Sequence, residues 1–305
     1  MTPSVVPTVA VLAIVTLGTQ EPSQQRFRSG ADLVAVDVLV TDGRRPLIGL
    51  SAADFTVLDN GVAQTVEQLH IAQLPLSIIM VLDGSWSVEG ERLVALKKAA
   101  SEVVDRLRKE DRGAVISFSH RLELRAALTA DRRRLHEAIA SLTADGSTAL
   151  RDAAYAGLAL RGTDSGRTLM LLFTDGVDTA SFLDERRVID VARRSDVTIY
   201  PVAVRDEPMF AARGGRLWLD PASSTAPTDD RFLKALAEET GGRVVYAERS
   251  RDIGRTFARV LDEFNSRYVL GYTPTGVAGT GWHRIDVSLR KRRGTVTARR
   301  GYFAR

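Results

Sequence analysis

Leu76 to Leu82 is an almost unbroken apolar run, and it leads directly into Asp83-Gly84-Ser85-Trp86-Ser87 and then into an amphipathic segment, Val88 to Leu107. A strand with no polar face must be covered on both sides, which is the situation of a parallel sheet sandwiched between helices. The same texture recurs downstream. Further strands are expected at Ala114–Ser119, Leu122–Leu128, Thr168–Phe173, Val197–Val204 and Arg243–Ala247. Between them, helical periods mark helices at Val88–Leu107, Arg132–Leu142, Ala149–Leu160, Glu185–Arg194, Arg231–Glu239 and Ile253–Asn265. Ser119-His120-Arg121 is too short for a crossover, so the Leu122 strand should return antiparallel as an edge. Pro201 inside a strand points to a bulge. The fold class expected is α/β, a doubly wound, mostly parallel six-stranded sheet.

Both flanks have a different pattern. Ala31 to Val40 alternates apolar and polar residues, Phe55 to Leu58 and Gln64 to His70 read as two more strands, and Asp59-Asn60-Gly61 is a hairpin turn between them. After residue 267, Tyr268–Tyr272, Arg284–Leu289 and Thr295–Arg299 again read as strands. The segments 27–74 and 268–305 should therefore pair into a small β-sandwich-like domain, with the α/β unit at 75–267 inserted in or flanked by it. Residues 1–20 carry no charged side chain, and Val5 to Leu17 is an apolar run too short to span a bilayer comfortably. It fits the core of a signal peptide, so the protein is expected to be exported: periplasmic, secreted or attached to the cell envelope. An uncleaved leader would instead anchor the chain to a membrane. A Gly-, Pro- and Ser-rich stretch, Met209 to Thr228, is expected to be a long loop lining one face.

Composition removes several kinds of chemistry. The chain has no cysteine, hence no thiolate nucleophile and no Cys-based zinc site. Its four histidines, at 70, 120, 136 and 283, form no pair with metal-binding spacing. The net charge is +4, and 37 of the 42 basic residues are Arg. They are interleaved with acids, as in Asp184-Glu185-Arg186-Arg187, rather than gathered on a basic face, so no nucleic-acid partner is expected. Neither Gly-x-x-x-x-Gly-Lys nor Gly-x-Gly-x-x-Gly occurs.

What remains is oxygen chemistry at strand ends. Asp83, Ser85 and Ser87 alternate in one loop, so their oxygens can converge if the loop curls. Gly146-Ser147-Thr148 and Thr174-Asp175-Gly176 supply matching groups downstream. In an open α/β sheet ligands bind beyond the carboxyl ends of strands where the strand order reverses. If Asp83 and Asp175 flank that point, two carboxylates and three hydroxyls, from Asp83, Ser85, Ser87, Thr148 and Asp175, form a hard-donor set. Such donors suit Mg²⁺, with Mn²⁺ or Ca²⁺ as alternatives. Gly84, Gly146 and Gly176 allow tight backbone paths, and helix starts near Val88 and Ala149 add favourable dipoles. Read singly, Ser85 and Ser87 are helix N-caps and Asp175-Gly176 a plain turn.

The sequence Asp83-x-Ser85-x-Ser87, then Thr148, then Thr174-Asp175-Gly176, resembles the metal-ion-dependent adhesion site of von Willebrand factor type A domains. The resemblance covers Pro75 to Arg267. It implies the sheet order 3-2-1-4-5-6, direct ligation by Ser85, Ser87 and Thr148, and ligation by Asp83 and Asp175 directly or through water. The flanks, Phe27-Arg28-Ser29-Gly30 to Asp59-Asn60-Gly61 and Leu270-Gly271-Tyr272-Thr273-Pro274 to Arg300-Gly301-Tyr302, resemble exported bacterial proteins related to that family. Trp86 departs from the pattern, since many relatives carry Gly there. It is either a ligand contact or a cap over a packed loop, and Ser147 and Gly176 are further candidate contacts.

The function expected is that of a metal-dependent adhesion or interaction module, not an enzyme. An exposed Asp or Glu of a partner protein would complete the ion's shell. Two alternatives are a Mg²⁺-dependent phosphohydrolase with Asp83 as nucleophile and a metal-stabilised scaffold. The first is weakened by Ser85, which stands where a haloacid-dehalogenase-type enzyme needs a second Asp as general acid.

Overall fold

A computed structural model describes residues 33–43, 45–71, 74–160, 167–204, 212–213, 216–217, 230–277 and 279–304. The expected leader therefore lies outside the described residues, as does most of the 209–228 loop.

The chain opens with β1 (Val34–Asp42), β2 (Arg45–Pro46), β3 (Phe55–Asp59), β4 (Val62–Gln64) and β5 (Gln68–Ile71). The turn between β3 and β4 has Asn60 at φ 48° and Gly61 at φ 82°, the pair of left-handed residues that a tight hairpin demands. The expected single strand from Gln64 to His70 is in fact two. β4 pairs with β3, whereas β5 pairs with a strand from the far end of the chain, so the backbone changes sheets near Thr65–Glu67.

The α/β unit follows: β6 (Leu76–Asp83), α1 (Glu91–Asp105), β7 (Arg112–Phe118), β8 (Leu122–Thr129), α2 (Arg132–Ala140), α3 (Leu150–Ala159), β9 (Arg167–Thr174), α4 (Glu185–Arg194) and β10 (Val197–Val204). A two-stranded ribbon, β11 (Ala212–Arg213) and β12 (Arg216–Leu217), comes next, and then α5 (Asp230–Thr240), β13 (Val245–Ala247) and α6 (Ile253–Asn265). Six strands form one sheet in the order β13-β10-β9-β6-β7-β8, with β8 antiparallel and the rest parallel. Counted within this unit, that is the order 3-2-1-4-5-6. Two apolar layers cover the sheet. One joins it to α1, α2 and α6 through residues such as Leu96, Leu135 and Phe257, the other to α3, α4 and α5 through Leu150, Val188 and Phe232.

Two details differ from expectation. Pro201 causes no bulge: β9 and β10 pair without a shift from Val197 to Ala203. Ile199, two residues earlier, sends its N–H away from β9 to Thr240 Oγ1, so the missing donor of Pro201 falls on the same flank and costs β9 no hydrogen bond. The helix expected from Val88 also starts later. A 3₁₀ turn spans Trp86–Val88, Gly90 has φ 79°, and α1 begins only at Glu91. The N-terminal dipole placed at Val88 is therefore absent from that position.

The chain closes with β14 (Tyr268–Tyr272), β15 (Gly281–Leu289), β16 (Thr295–Ala298) and β17 (Gly301–Ala304). One sheet runs β16-β1-β14-β5 with β2 at the side of β1, the other β17-β15-β3-β4. Val36, Val38, Phe55, Val57, Leu270 and Ile285 meet in one core between them. Strands β1–β5 and β14–β17 thus build one β-sandwich, with the α/β unit inserted between them in the sequence. Within it Asp59 is fully buried and accepts hydrogen bonds from Tyr272 Oη and Tyr302 Oη, both 2.9 Å, and lies 2.8 Å from His283 Nδ1. Arg267, at the exit from α6, is also fully buried. It donates to Tyr200 Oη (2.9 Å) and to the carbonyl of Gly241 (2.7 Å) in the α/β unit, and to that of Asp37 (3.1 Å) in β1.

Candidate metal centre at the carboxyl edge of the sheet

From β6 the chain first crosses to β7 on one side and later returns to β9 on the other, so the order reverses between β6 and β9. Leu82 faces Phe173 in the ladder, which brings Asp83 and Thr174 to the same edge. Thr174 Oγ1 donates to Asp83 Oδ2 at 2.8 Å, and the backbone N–H of Ser85 donates to Asp83 Oδ1 at 2.9 Å. Both carboxylate oxygens of Asp83 are thus engaged in shaping the loop. Burial first, and the neighbouring Asp175 carboxylate second, push its pKa up to about 7 against the pull of those hydrogen bonds.

The hydroxyls form a chain. Ser85 Oγ is 3.0 Å from Ser87 Oγ, and Ser87 Oγ donates to Asp175 Oδ1 at 2.7 Å. Ser85 stands at the N-cap of the 3₁₀ turn yet makes no side-chain cap, and α1 is capped by Gly90, so neither serine serves the helix-capping role that local sequence allows. Gly176 shows where Thr148 belongs: a Cβ placed on Gly176 would meet Thr148 Oγ1 at 3.8 Å and Ser87 Oγ at 3.9 Å. Asp83, Ser85, Ser87, Thr148 and Asp175 are therefore gathered at one place on three loops. Asp83, Ser85, Thr148 and Asp175 are buried and Ser87 is half-buried.

Backbone hydrogen bonds tie those loops together. Asp145 N–H donates to Gly84 O (2.7 Å), Trp86 N–H to Gly146 O (3.0 Å) and Gly84 N–H to Phe118 O (2.7 Å). Thr179 N–H and Ala180 N–H both donate to Thr148 O, while Thr148 N–H donates to Thr179 Oγ1 at 3.0 Å. The three candidate contacts differ in placement. Trp86 is 67% exposed with Nε1–H on Asp145 Oδ1 (3.1 Å), so it is no cap over a packed loop. Ser147 is exposed, and Gly176 is buried against the donors.

One participant escapes sequence reading. Arg92 belongs to the amphipathic segment whose Arg and Lys residues read as a solvated face. Its guanidinium instead pairs with Asp175 Oδ2 and donates to the carbonyl of Ser87 (2.9 Å) and, through Nε, to Ser250 Oγ (3.3 Å). No spacing rule signals this, because the break at Gly90 reorients the first turn of α1. A second omission is the clamp below Thr148, where Asp178 accepts from the backbone N–H of Arg151 (2.8 Å) and from Ser181 Oγ (2.5 Å) and pairs with the Arg151 guanidinium (3.1 Å).

The donor set fits a hard divalent cation. Three hydroxyls and the Asp175 carboxylate gather at one position beside the buried Asp83, Arg92 pairs with Asp175, and such hard oxygen donors suit a divalent cation. Ser85, Ser87 and Thr148 would hold it, with Asp175 beside them and Asp83 orienting the loop. Among the described residues no cluster of three or more His, Cys, Asp and Glu side chains offers another centre.

Comparison with known proteins agrees with this architecture. The chain is 34% identical to an uncharacterised protein of Synechocystis over 224 residues, 68% of this chain, and spans about half the length of that relative (49%). It is 25% identical over 256 residues to a UPF0353 protein of Mycolicibacterium vanbaalenii, covering 78% of this chain and 73% of the relative. Among solved structures, a von Willebrand factor type A protein of Catenulispora acidiphila superposes with a TM-score of 0.52 at 14% identity, over 89% of this chain and 73% of that one. Proximal thread matrix protein 1 of the mussel byssus, solved with a zinc-occupied MIDAS motif, gives 0.52 at 17% identity, over 66% and 48%. These two likenesses show a shared fold. The sequence profile of the von Willebrand factor type A domain matches residues 77–259, more than half of the chain, and the protein belongs to that family.

Proposed function

We propose that the chain is a metal-dependent protein-binding module, not an enzyme, and that it works outside the cytoplasm. The carrying observation is the convergence of Ser85, Ser87, Thr148 and Asp175 on one buried position at the switch point of the sheet. A divalent cation held there supplies a Lewis-acidic position that an Asp or Glu carboxylate of a partner can complete. Asp83 holds Ser85 in place through its backbone N–H, Arg92 holds Asp175 turned toward Ser87, and the Asp178 clamp fixes the segment that receives Thr148. Mg²⁺ is the ion favoured by hydroxyl and carboxylate oxygens, and the zinc-occupied motif of the mussel protein supports a divalent ion in this fold. A phosphohydrolase using Asp83 would need a second acid two residues on, and Ser85 stands at that position. The apolar leader supports export, and among the described residues no helix is long and apolar enough to cross a membrane.

Calorimetric titration of the full chain with Mg²⁺, Mn²⁺ and Ca²⁺ tests the reading. One site per chain is expected, weakened at least tenfold in Thr148→Ala and in Asp175→Ala, with thermal stabilisation of about 2.7 kcal/mol at a hundredfold excess of ion over Kd. Absence of heat with every ion, or unchanged binding in both variants, would refute it. Cation binding that adds stability but never favours an acidic partner would leave the scaffold reading in its place.

A further inference from the structure

Phe182 is 97% exposed, an extreme for a phenylalanine, and it is not on a loose tip. Its backbone N–H donates to Asp152 Oδ2 and that of Leu183 to Asp152 Oδ1, both at 2.9 Å, so one carboxylate grips the two successive residues. Ser181 Oγ accepts in turn from the N–H of Asp152 (3.2 Å) and donates to Asp178. Leu183 packs toward the α3–α4 side of the core while Phe182 points away from it. Trp86, in the loop between Ser85 and Ser87, is 67% exposed; its ring is held by Nε1–H on Asp145 and its backbone by N–H on the carbonyl of Gly146. The segment bearing Thr148 connects the two loops, bonded through Gly146 to Trp86 and through Thr148 O to Thr179 and Ala180, which precede Phe182. Solvent-facing aromatics on a fixed backbone are frequent anchors of protein–protein contacts, since they offer a large contact area with only two side-chain torsions to immobilise. Folding gains nothing from exposing them.

We propose that Trp86 and Phe182 are the two aromatic anchors of a docking surface centred on the donor set, and that its partner is an extended protein segment presenting an acidic residue flanked on both sides by aromatic or aliphatic side chains. This rests on the reading of the centre as a carboxylate acceptor. The occupant follows from complementarity: the centre selects an anion, and the two flanking rings select apolar neighbours on that anion's own chain. An acidic stretch with polar flanks would leave both rings in water.

Two displayed nonapeptide libraries, one with a fixed central Asp and one with a fixed central Asn, are selected on the full chain in Mg²⁺ and counter-selected in EDTA. The chains compared are the wild type, Phe182→Ser and Trp86→Ser, each checked for an unchanged melting temperature and, for Phe182→Ser, an unchanged Mg²⁺ affinity. The wild type should select Asp over Asn and enrich Phe, Trp, Leu or Ile beside it. Phe182→Ser should lower that flanking enrichment at least fivefold while Asp selection persists, and Trp86→Ser should lower it on the other side. If Asp is selected but the flanks are polar, or identical in all three chains, the aromatic docking surface is refuted and the carboxylate reading stands. If Asp is not preferred over Asn in Mg²⁺, the carboxylate reading fails and the docking surface with it.

Discussion

Gly84 sits between Asp83 and the serines, and replacing it with alanine tests how closely the loops of the centre are packed. A Cβ on Gly84 would lie 2.7 Å from the carbonyl oxygen of Thr143 and 3.6 Å from that of Phe118. Ordinary contact begins near 3.4 Å, so one backbone must withdraw by about 0.7 Å. The Gly84 backbone is not free to do so. Gly84 is held at 2.7 Å by Phe118 O on one side and by Asp145 N–H on the other, and Trp86 is held at Gly146. Overpacking of this kind costs about 1–3 kcal/mol. In a body of this size each kcal/mol lowers the melting temperature by roughly 2–4 °C. The same displacement pulls Ser85 and Ser87 away from Thr148, and Mg²⁺ demands near-ideal octahedral geometry. Gly84→Ala should therefore melt several degrees lower and bind Mg²⁺ at least tenfold more weakly, a loss of about 1.4 kcal/mol. Gly279→Ala is the control, because nothing lies within 4 Å of its added Cβ and its φ is not left-handed. Melting by circular dichroism and calorimetric titration give the two readouts. Equal melting temperature and equal Mg²⁺ affinity in the two variants would refute the packing argument.

Arg267→Met should cost about 3–5 kcal/mol in urea unfolding, because it leaves the carbonyls of Gly241 and Asp37 and the Tyr200 hydroxyl without a buried cation. Arg106→Met, whose pair with Asp262 is exposed on both sides, should cost far less, and equal losses would count against the buried network. Burial raises the pKa of Asp178, but the Arg151 side chain, the Ser181 hydroxyl and two backbone N–H groups outweigh it and hold the carboxyl below its ordinary value. A depressed carboxyl contributes stability above its unfolded pKa and loses it as pH falls through the folded one. Acid unfolding below about pH 4 should thus be shallower in Asp178→Asn than in the wild type, and parallel curves would exclude a contribution from this clamp.

The sheet is legible because strands 76–82, 168–173 and 197–204 are almost wholly apolar and so exclude any arrangement with an open face, whereas its order follows from the family resemblance of the motif. Asp83 and Asp175 are legible because they follow the apolar strands β6 and β9, whereas Thr148, on the connection between α2 and α3, is legible only through the motif. Long-range partner choice leaves no such trace. Val66 and Leu69 read as one strand with Gln64, yet the chain joins β3 on one side of Glu67 and β14 on the other. Gly90 looks like an ordinary turn residue, but its φ of 79° delays α1 and delivers Arg92 to Asp175. Pro201 argues for a bulge only if the flank its nitrogen faces is unknown, and Thr240 reveals that flank.

Asp59 gives the sandwich a dependence on completion of the chain. It enters the core early in the sequence, yet Tyr272 and Tyr302, which satisfy it, arrive 213 and 243 residues later. A polypeptide emerging from its N-terminus must keep this carboxylate hydrated until the closing strands appear, while the inserted unit already has all its own strands. Any product truncated before Tyr302 would seal Asp59 between the two sheets without one of its donors or fail to close. A molecule lacking the closing strands would thus differ from the full one in whether β3 has met β15 and β17, a difference that a protease cutting unpaired strands would read.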